Sequence, residues 1–272
     1  IAAGDPFAMH SLGFHLLRKG TSDEEKQRGF ELVDRAAELG HTYSMNELGI
    51  FFLTKDSDHF EPDRGMTYLR ASYDRKDIYG MNALGFVALN GLDGQPPDYA
   101  RAASLYKQAA EGGHPKAPAA LGRMIMREQL GPPDHAEAVA WYDLGLSRGD
   151  AWGGTNAAEV ILMGQVARLG PADAAARAVK ATLLTDKDAA AAAEAVLAGL
   201  DDAAIGGGLQ IILSELGEDV TVDGKPGPAT RAALDRAAKA AGVSGKAGTD
   251  RDRLTLAARI WWKKHPVRPD LF

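Results

Sequence analysis

Seven histidines, 37 carboxylates and no cysteine define the chemistry this 272-residue chain can attempt. Without cysteine there is no thiolate for a nucleophile, a zinc cage, an Fe–S cluster or a disulfide. Metal binding would fall to imidazoles and carboxylates, and two imidazoles on one helix need a spacing that puts them on one face. His10 and His15 are five apart and diverge. His41 and His114 stand at equivalent places in a repeating pattern and read as structural. No two carboxylates stand out as the acid and base of a glycosidase. The G-x-S-x-G elbow, the H-E-x-x-H helix and the G-x-x-x-x-G-K-[ST] loop do not occur. Gly206-Gly207-Gly208 lacks the strand and spacing of a dinucleotide site. The expectation is a protein that binds rather than catalyses, with no cofactor and no metal.

Charge narrows what it could bind. The net charge is −6. Residues 200–272 hold eleven Lys/Arg against ten Asp/Glu, leaving 20 against 27 in residues 1–199. A body this acidic lacks the basic face that phosphate neutralisation needs, which argues against nucleic acid. No apolar run reaches the ~18 residues of a membrane span, so no membrane insertion is expected within this segment.

The spacing that does recur belongs to packing. Leu-Gly returns at Leu12-Gly13, Leu48-Gly49, Leu84-Gly85 and Leu121-Gly122. Each interval carries two apolar-periodic stretches separated by an acidic turn, so one period holds two helices. Such a unit buries its apolar face only by stacking on its neighbours, which predicts an all-α fold opening as an α-solenoid. The glycine is expected to let helix A approach helix B closely, with Ala36, Ser72, Ala109 and Gly145 answering from helix B. Thr21-Ser22-Asp23 offers capping oxygens to the first helix B. Asp63, Asp98 and Asp134, each after a proline, are expected to cap the later ones.

After Gly149 the pattern decays. Ala157-Ala158 stand where Leu-Gly is due, and the helices of 171–184 and 188–197 read as degenerate caps closing the array. The predicted domain is therefore 1–199. Residues 200–272 read as three short helices around a separate small core. The first ends at Gly217, the second starts at Pro228 after the Val222-Asp223-Gly224 turn, and the third carries Leu254, Ala257, Ala258 and Trp261.

The 36-residue unit, with Leu-Gly in helix A and Ala-Ala-x-x-Gly closing helix B, resembles the Sel1-like repeat family over about residues 5–150. That family is related to tetratricopeptide arrays and implies a protein-binding scaffold, often in the bacterial envelope. The second unit departs most, with Tyr73, Arg75 and Lys76 where small residues are expected. The run from Leu209-Gln210 through Asp223-Gly224-Lys225-Pro226-Gly227-Pro228-Ala229-Thr230 to Leu234 resembles the three-helix peptidoglycan-binding domain. It departs at Pro226, where an aromatic residue is usual, and lacks Phe-Gln near the end of the second helix. The two together resemble the periplasmic end of an alphaproteobacterial cell-polarity scaffold. A chain opening at Ile1 fits the exported part of a longer, membrane-anchored protein, located in the periplasm.

The resemblance implies a non-enzymatic adaptor with two kinds of partner: an envelope or periplasmic protein, and peptidoglycan. The alternatives are a purely protein-binding envelope regulator and a regulatory subunit positioning a cell-wall hydrolase. For the protein groove, the residues three before each Gly and just after it are His10, Phe14, Asn46, Ile50, Asn82, Phe86 and Arg123, together with Ala119. They would form an apolar floor edged by amides, unless the aromatic ones are core. For peptidoglycan the candidates are Asp223, Thr230, Arg231 and Trp262. Arg231 would pair with a stem-peptide carboxylate, and Trp262 would stack on a sugar ring or pack on the tail from Pro266 to Phe272.

Overall fold

The computed structural model describes residues 4–54 and 60–266. Fourteen helices account for the regular structure among these residues. The chain divides into two compact units, residues 1–117 and 118–272.

Unit 1 contains three helix pairs: α1 (Pro6–Lys19) with α2 (Asp23–Glu38), α3 (Thr42–Phe52) with α4 (Pro62–Asp74), and α5 (Ile78–Asn90) with α6 (Tyr99–Glu111). Within each pair the Leu-Gly glycine is the point of closest approach. A Cβ on Gly13 would lie 2.6 Å from the Val33 side chain and 2.7 Å from the Gly29 carbonyl, and one on Gly85 would meet the Tyr106 ring at 3.0 Å. The residues that answer these glycines differ from those expected. Gly29 and Gly65, with Val33, Leu69 and Tyr106 one turn further on, face the preceding helix. Ser72 instead faces Gly80 at the start of the next pair. The reason is antiparallel geometry: moving C-terminally along helix B carries a residue past the Leu-Gly glycine, towards the N-terminal end of its own helix A and the following turn.

The caps follow the chemistry of the turns. Ser22 and Glu25 form a reciprocal capping box on α2, and Asp98 caps α6. Asp63 does not cap α4. The N-cap there is Glu61, without a side-chain bond, and Asp63 sits inside the first turn beside the helix dipole. A second series, at the start of each helix A, alternates carboxylate and imidazole. Asp5 caps α1, His41 caps α3 and Asp77 caps α5.

Unit 2 contains α7 (Ala117–Met126), which starts at the division, and α8 (His135–Ser147), α9 (Ala151–Leu162), α10 (Pro171–Thr182) and α11 (Lys187–Ala198). It continues with α12 (Asp202–Glu215), α13 (Pro228–Ala241) and α14 (Asp250–Lys264). The last three helices fall where the sequence places them. The packing, however, divides the chain between residues 117 and 118, whereas the expected boundary lay between Gly199 and Leu200. One hydrophobic core runs from Ala119 to Ile260. Its centre is α10, which buries Ala174, Ala175, Ala176, Ala178, Val179, Lys180 and Ala181 and touches α9, α11, α12 and α14. The helix expected to be a degenerate cap is thus the middle of unit 2.

Three glycines make that centre possible. Gly206, Gly207 and Gly208 are buried inside α12. A Cβ on Gly207 would come within 2.7 Å of the Ala172 Cβ, and one on Gly208 within 2.8 Å of the Ala175 Cβ. On the neighbouring face, a Cβ on Gly206 would meet the Gly224 carbonyl at 2.7 Å. The triplet lets α12 lie against α10 and against the 223–226 turn.

Candidate functional site

Among the described residues of unit 1, the large exposed apolar side chains include Phe7, Tyr43, Phe51 and Phe86 on the helix A series, beside Leu39, Phe60 and Tyr99 elsewhere. At the second residue of each helix A stand Phe7, Tyr43 and Tyr79. Phe7 is 68% exposed and Tyr43 41%. Three residues on come His10, Asn46 and Asn82, and four further Phe14, Ile50 and Phe86. Positions i, i+3 and i+7 share one helix face, so each helix A presents an aromatic at its N-terminal end and an apolar side chain two turns later. Phe86 is 42% exposed.

The rings touch from one repeat to the next. His10 lies 4.6 Å from Phe14, 4.6 Å from His41 and 4.9 Å from Tyr43, centroid to centroid. Tyr43 meets Tyr79 edge-on at 6.4 Å, and Tyr79 meets His114 at 4.8 Å. The result is a continuous ladder of rings along unit 1. Burial pushes the Tyr43 and Tyr79 phenols above their usual range, with Glu47 adding to Tyr43 and Asp77 to Tyr79. Both stay neutral hydrogen-bonding groups at physiological pH. Burial also pushes the Glu47 carboxyl up, with Arg18 pulling it back.

The residues proposed for the groove separate accordingly. His10, Phe14, Ile50 and Asn82 are half-buried and Phe86 is exposed. Phe14 and Ile50 pack partly against the cores beneath them. Asn46 is buried and points into the junction between repeats. Its amide donates to Asp77 Oδ1 at 2.9 Å, while its own Oδ1 and the hydroxyl of Ser72 lie buried without a protein partner. Asn46 therefore contributes little surface. Arg123 belongs to unit 2, exposed on α7, and Ala119 is buried there.

The N-terminal aromatic of each helix A was not singled out in the sequence, although the signal was there. Phe7, Tyr43 and Tyr79 repeat at 36 residues, and Trp152 of unit 2, 37% exposed, holds the matching position on α9.

The candidates in residues 200–272 have defined partners. Asp223 Oδ1 accepts from Gln210 Nε2 at 2.8 Å and from the Lys225 N–H at 2.9 Å. The Asp223 and Gly224 N–H groups donate in turn to Gln210 Oε1. Donation by Gln210, then by the Lys225 backbone, holds the Asp223 carboxyl below its usual range. Asp223 and buried Gln210 thus clamp the turn to α12. Thr230 is 5% exposed, on the inner side of α13. Arg231 is exposed and donates to the Pro226 carbonyl at 3.2 Å. Trp262 is half-buried and donates its indole N–H to the Lys180 carbonyl of α10 at 2.9 Å. Beside it, Lys180 Nζ sits 4.1 Å above the Trp261 ring and pairs with Glu215. Desolvation depresses the Lys180 ammonium, and Glu215 opposes it. Of the tail from Pro266 to Phe272, residues 267–272 lie outside the described residues. Of these four residues Thr230 is buried and Trp262 is tied to α10, whereas Asp223 and Arg231 are exposed, Asp223 with its Oδ1 engaged by the turn.

Among the described residues no three His, Asp or Glu side chains converge as metal ligands, and no helix is long and apolar enough to cross a membrane.

Stacked antiparallel helix pairs, glycine-mediated approach and an exposed face on the first helix of each pair define an α-helical repeat protein. Residues 6–41, 78–114 and 115–150 match the family model of the Sel1 repeat, so the chain carries Sel1 repeats over these segments. The repeat at 42–77, which carries Tyr73, Arg75 and Lys76, lies between the matched segments. The crystal structure of a Sel1 repeat protein from Oxalobacter formigenes is similar, with a TM-score of 0.57 and 19% identity over 87% of this chain and 88% of that one. So is c5321, a protective antigen of uropathogenic Escherichia coli strains displaying an SLR fold. Its TM-score is 0.54 at 19% identity over 96% of this chain, which spans about half of that structure (53%). At such identities the likeness concerns the fold alone. No curated protein sequence matches the chain.

Proposed function

We propose that this protein is a non-enzymatic scaffold of the bacterial envelope that docks a partner protein on the helix A face of unit 1. One observation carries the reading. Aromatic and apolar side chains stay exposed or half-buried at the same register of successive helices, although cores shared between neighbouring helix pairs already lie beneath them. Contiguous exposed apolar surface of this kind marks an interaction site more often than chance. Neutral phenols and the Asn82 amide between the rings would give a helix or extended peptide hydrogen bonds as well as apolar contact.

The test changes residues that leave the fold alone. Phe7→Ser combined with Phe86→Ser removes two exposed rings, so thermal stability should stay close to wild type. Photo-crosslinkers at the same two positions, in the cell that makes the protein, should trap one partner species that the double variant no longer co-purifies. Unchanged co-purification by a folded double variant would place docking elsewhere.

The proposal extends to location and to the wall. We place the protein in the periplasm, as part of a polar localisation factor, with residues 200–272 holding peptidoglycan through Arg231. The D-G-x-x-G-P-x-T pattern and the exposure of Arg231 support this. A weak wall contact would raise the effective concentration of the docking face near its partner rather than perform chemistry.

A further inference from the structure

The helix A face of unit 1 contains an arrangement that the docking reading does not use. His41 caps α3 with an imidazole: the Ser44 N–H donates to His41 Nδ1 at 3.3 Å. The hydroxyl of Ser44, a fully buried residue, lies 3.0 Å from the same nitrogen and 2.8 Å from His10 Nδ1. One hydroxyl proton can serve only one of the two rings. Since His41 Nδ1 accepts a backbone N–H, it carries no proton. The consistent chain is His10 Nδ1–H to Ser44 Oγ–H to His41 Nδ1. It joins α1 to α3 through two neutral imidazoles, whose ring centroids are 4.6 Å apart.

A proton cannot be added to His41 Nδ1 without breaking this chain. It would displace the Ser44 N–H, place a cation at the positive end of the α3 dipole and face His10 at ring-contact distance. The charged groups around the pair are Asp5 at the start of α1, Arg18 on α1, Glu47 on α3, Arg75 beside Gly40 and Asp77 at the start of α5. Asp5 and Asp77 favour a charged His41, but burial outweighs them and its pKa is lowered. Burial, then the His41 charge, pushes His10 down to about 4. At the equivalent turn before α7, His114 Nδ1 accepts the Lys116 and Ala117 N–H groups at 3.2 and 3.0 Å, so the acceptor-only imidazole is used twice.

We propose that the His10–Ser44–His41 chain is an acid-sensitive catch that keeps the aromatic face of unit 1 assembled near neutral pH and releases it as the environment acidifies. The release of a docked partner rests on the docking reading above; the catch itself does not. The sign follows from linkage. Both histidines have lower pKa values folded than unfolded. Their stabilisation is complete above the unfolded value near 6.5 and is lost as pH falls through the lowered folded values, down to about 4 for His10. Rings in contact with the pair move with it: Phe7 lies 6.2 Å from His41, and Phe14 and Tyr43 lie against His10.

Imidazole nitrogen NMR on the full chain tests the catch without a partner. The expected result is His41 with Nδ1 unprotonated at pH 7.5 and both rings titrating below 6.5. An Nδ1–H tautomer at His41, or ordinary titration of both rings, overturns it. Urea unfolding at pH 7.5 and 5.0 supplies the second arm. Between these values the folding equilibrium constant of unit 1 should fall about tenfold, after discounting for partial solvent exposure. His41→Asp, which installs the residue found at Asp5 and Asp77, should reduce that fall by removing one titrating ring and the charge that faces His10, and an equal fall in the variant counts against the catch. The crosslinkers at Phe7 and Phe86 then separate the two readings. A partner trapped equally at both pH values overturns release, while no partner at pH 7.5 overturns docking and leaves the NMR result standing.

Discussion

Lys76 sits in the left-handed region, with φ 58°, in the turn that joins α4 to α5. The same turn in the other repeats is made by Gly40, Gly113 and Gly149, all with positive φ. Glu128, with φ 57°, likewise replaces Gly91 and Gly164 in the turn from helix A to helix B. A side chain in this region costs ~1–2 kcal/mol, against a smaller entropic penalty for glycine in the unfolded chain. Lys76→Gly and Glu128→Gly should therefore each stabilise the protein, by about 1 kcal/mol, seen as a ~2–4 °C rise in Tm. Loss of stability in either would mean that the side chain makes a compensating contact. The repeat made the landmarks legible here. Lys76 stood out in the sequence as a departure in the second unit, while its cost needed the backbone angle.

At the scale of the element, helix starts were readable from punctuation, such as Ser22 before α2 and Pro228 opening α13, although the cap of α14 is Thr249, with Asp250 inside its first turn. What packs on what was less so. Alanine-rich α10 looks undemanding to any scale of hydrophobicity, because each alanine buries little area. It becomes central through small residues meeting small residues, where Gly207 and Gly208 remove the side chains that would hold α12 off. Three glycines inside a helix cost propensity, ~1 kcal/mol each relative to alanine, so α12 is a weak helix stabilised by close approach. Gly208→Ala should show this inversion. Propensity favours the variant, but the new Cβ would lie 2.8 Å from the Ala175 Cβ and 3.1 Å from the Ala176 nitrogen. Overpacking of this kind costs ~1–3 kcal/mol, so the urea midpoint of unit 2 should fall. A rise would mean that α10 and α12 part freely and that residues 200–272 stand on their own. The aromatic ladder was half legible for a related reason. Counting from Leu-Gly found Phe14, Ile50 and Phe86, but the N-terminal aromatics lie two turns earlier, beyond the residues counted from that landmark.

At the scale of the molecule, the continuous core of unit 2 decides how wall binding must be measured. Cutting the chain after Gly199 would strip α12 and α14 from α10, expose its buried alanines and leave Lys180 without Glu215 and Trp261. A truncated protein that failed to bind would then report unfolding. Substituting Trp262 or Asp223 has the same fault, since one is tied to the Lys180 carbonyl and the other to Gln210. Arg231 is exposed and makes one backbone contact, so Arg231→Ala should leave stability within about 0.5 kcal/mol of the parent. Co-sedimentation of the intact protein with isolated sacculi, beside Arg231→Ala, is therefore the informative pair. Pelleting of the parent at moderate salt, reduced in the variant, is the outcome expected if a carboxylate of the wall is held by the guanidinium. If both pellet equally, the wall meets another surface. If neither pellets, residues 200–272 serve unit 2 as packing, through α12 and α14 on α10, and the function of the chain rests on the aromatic face alone.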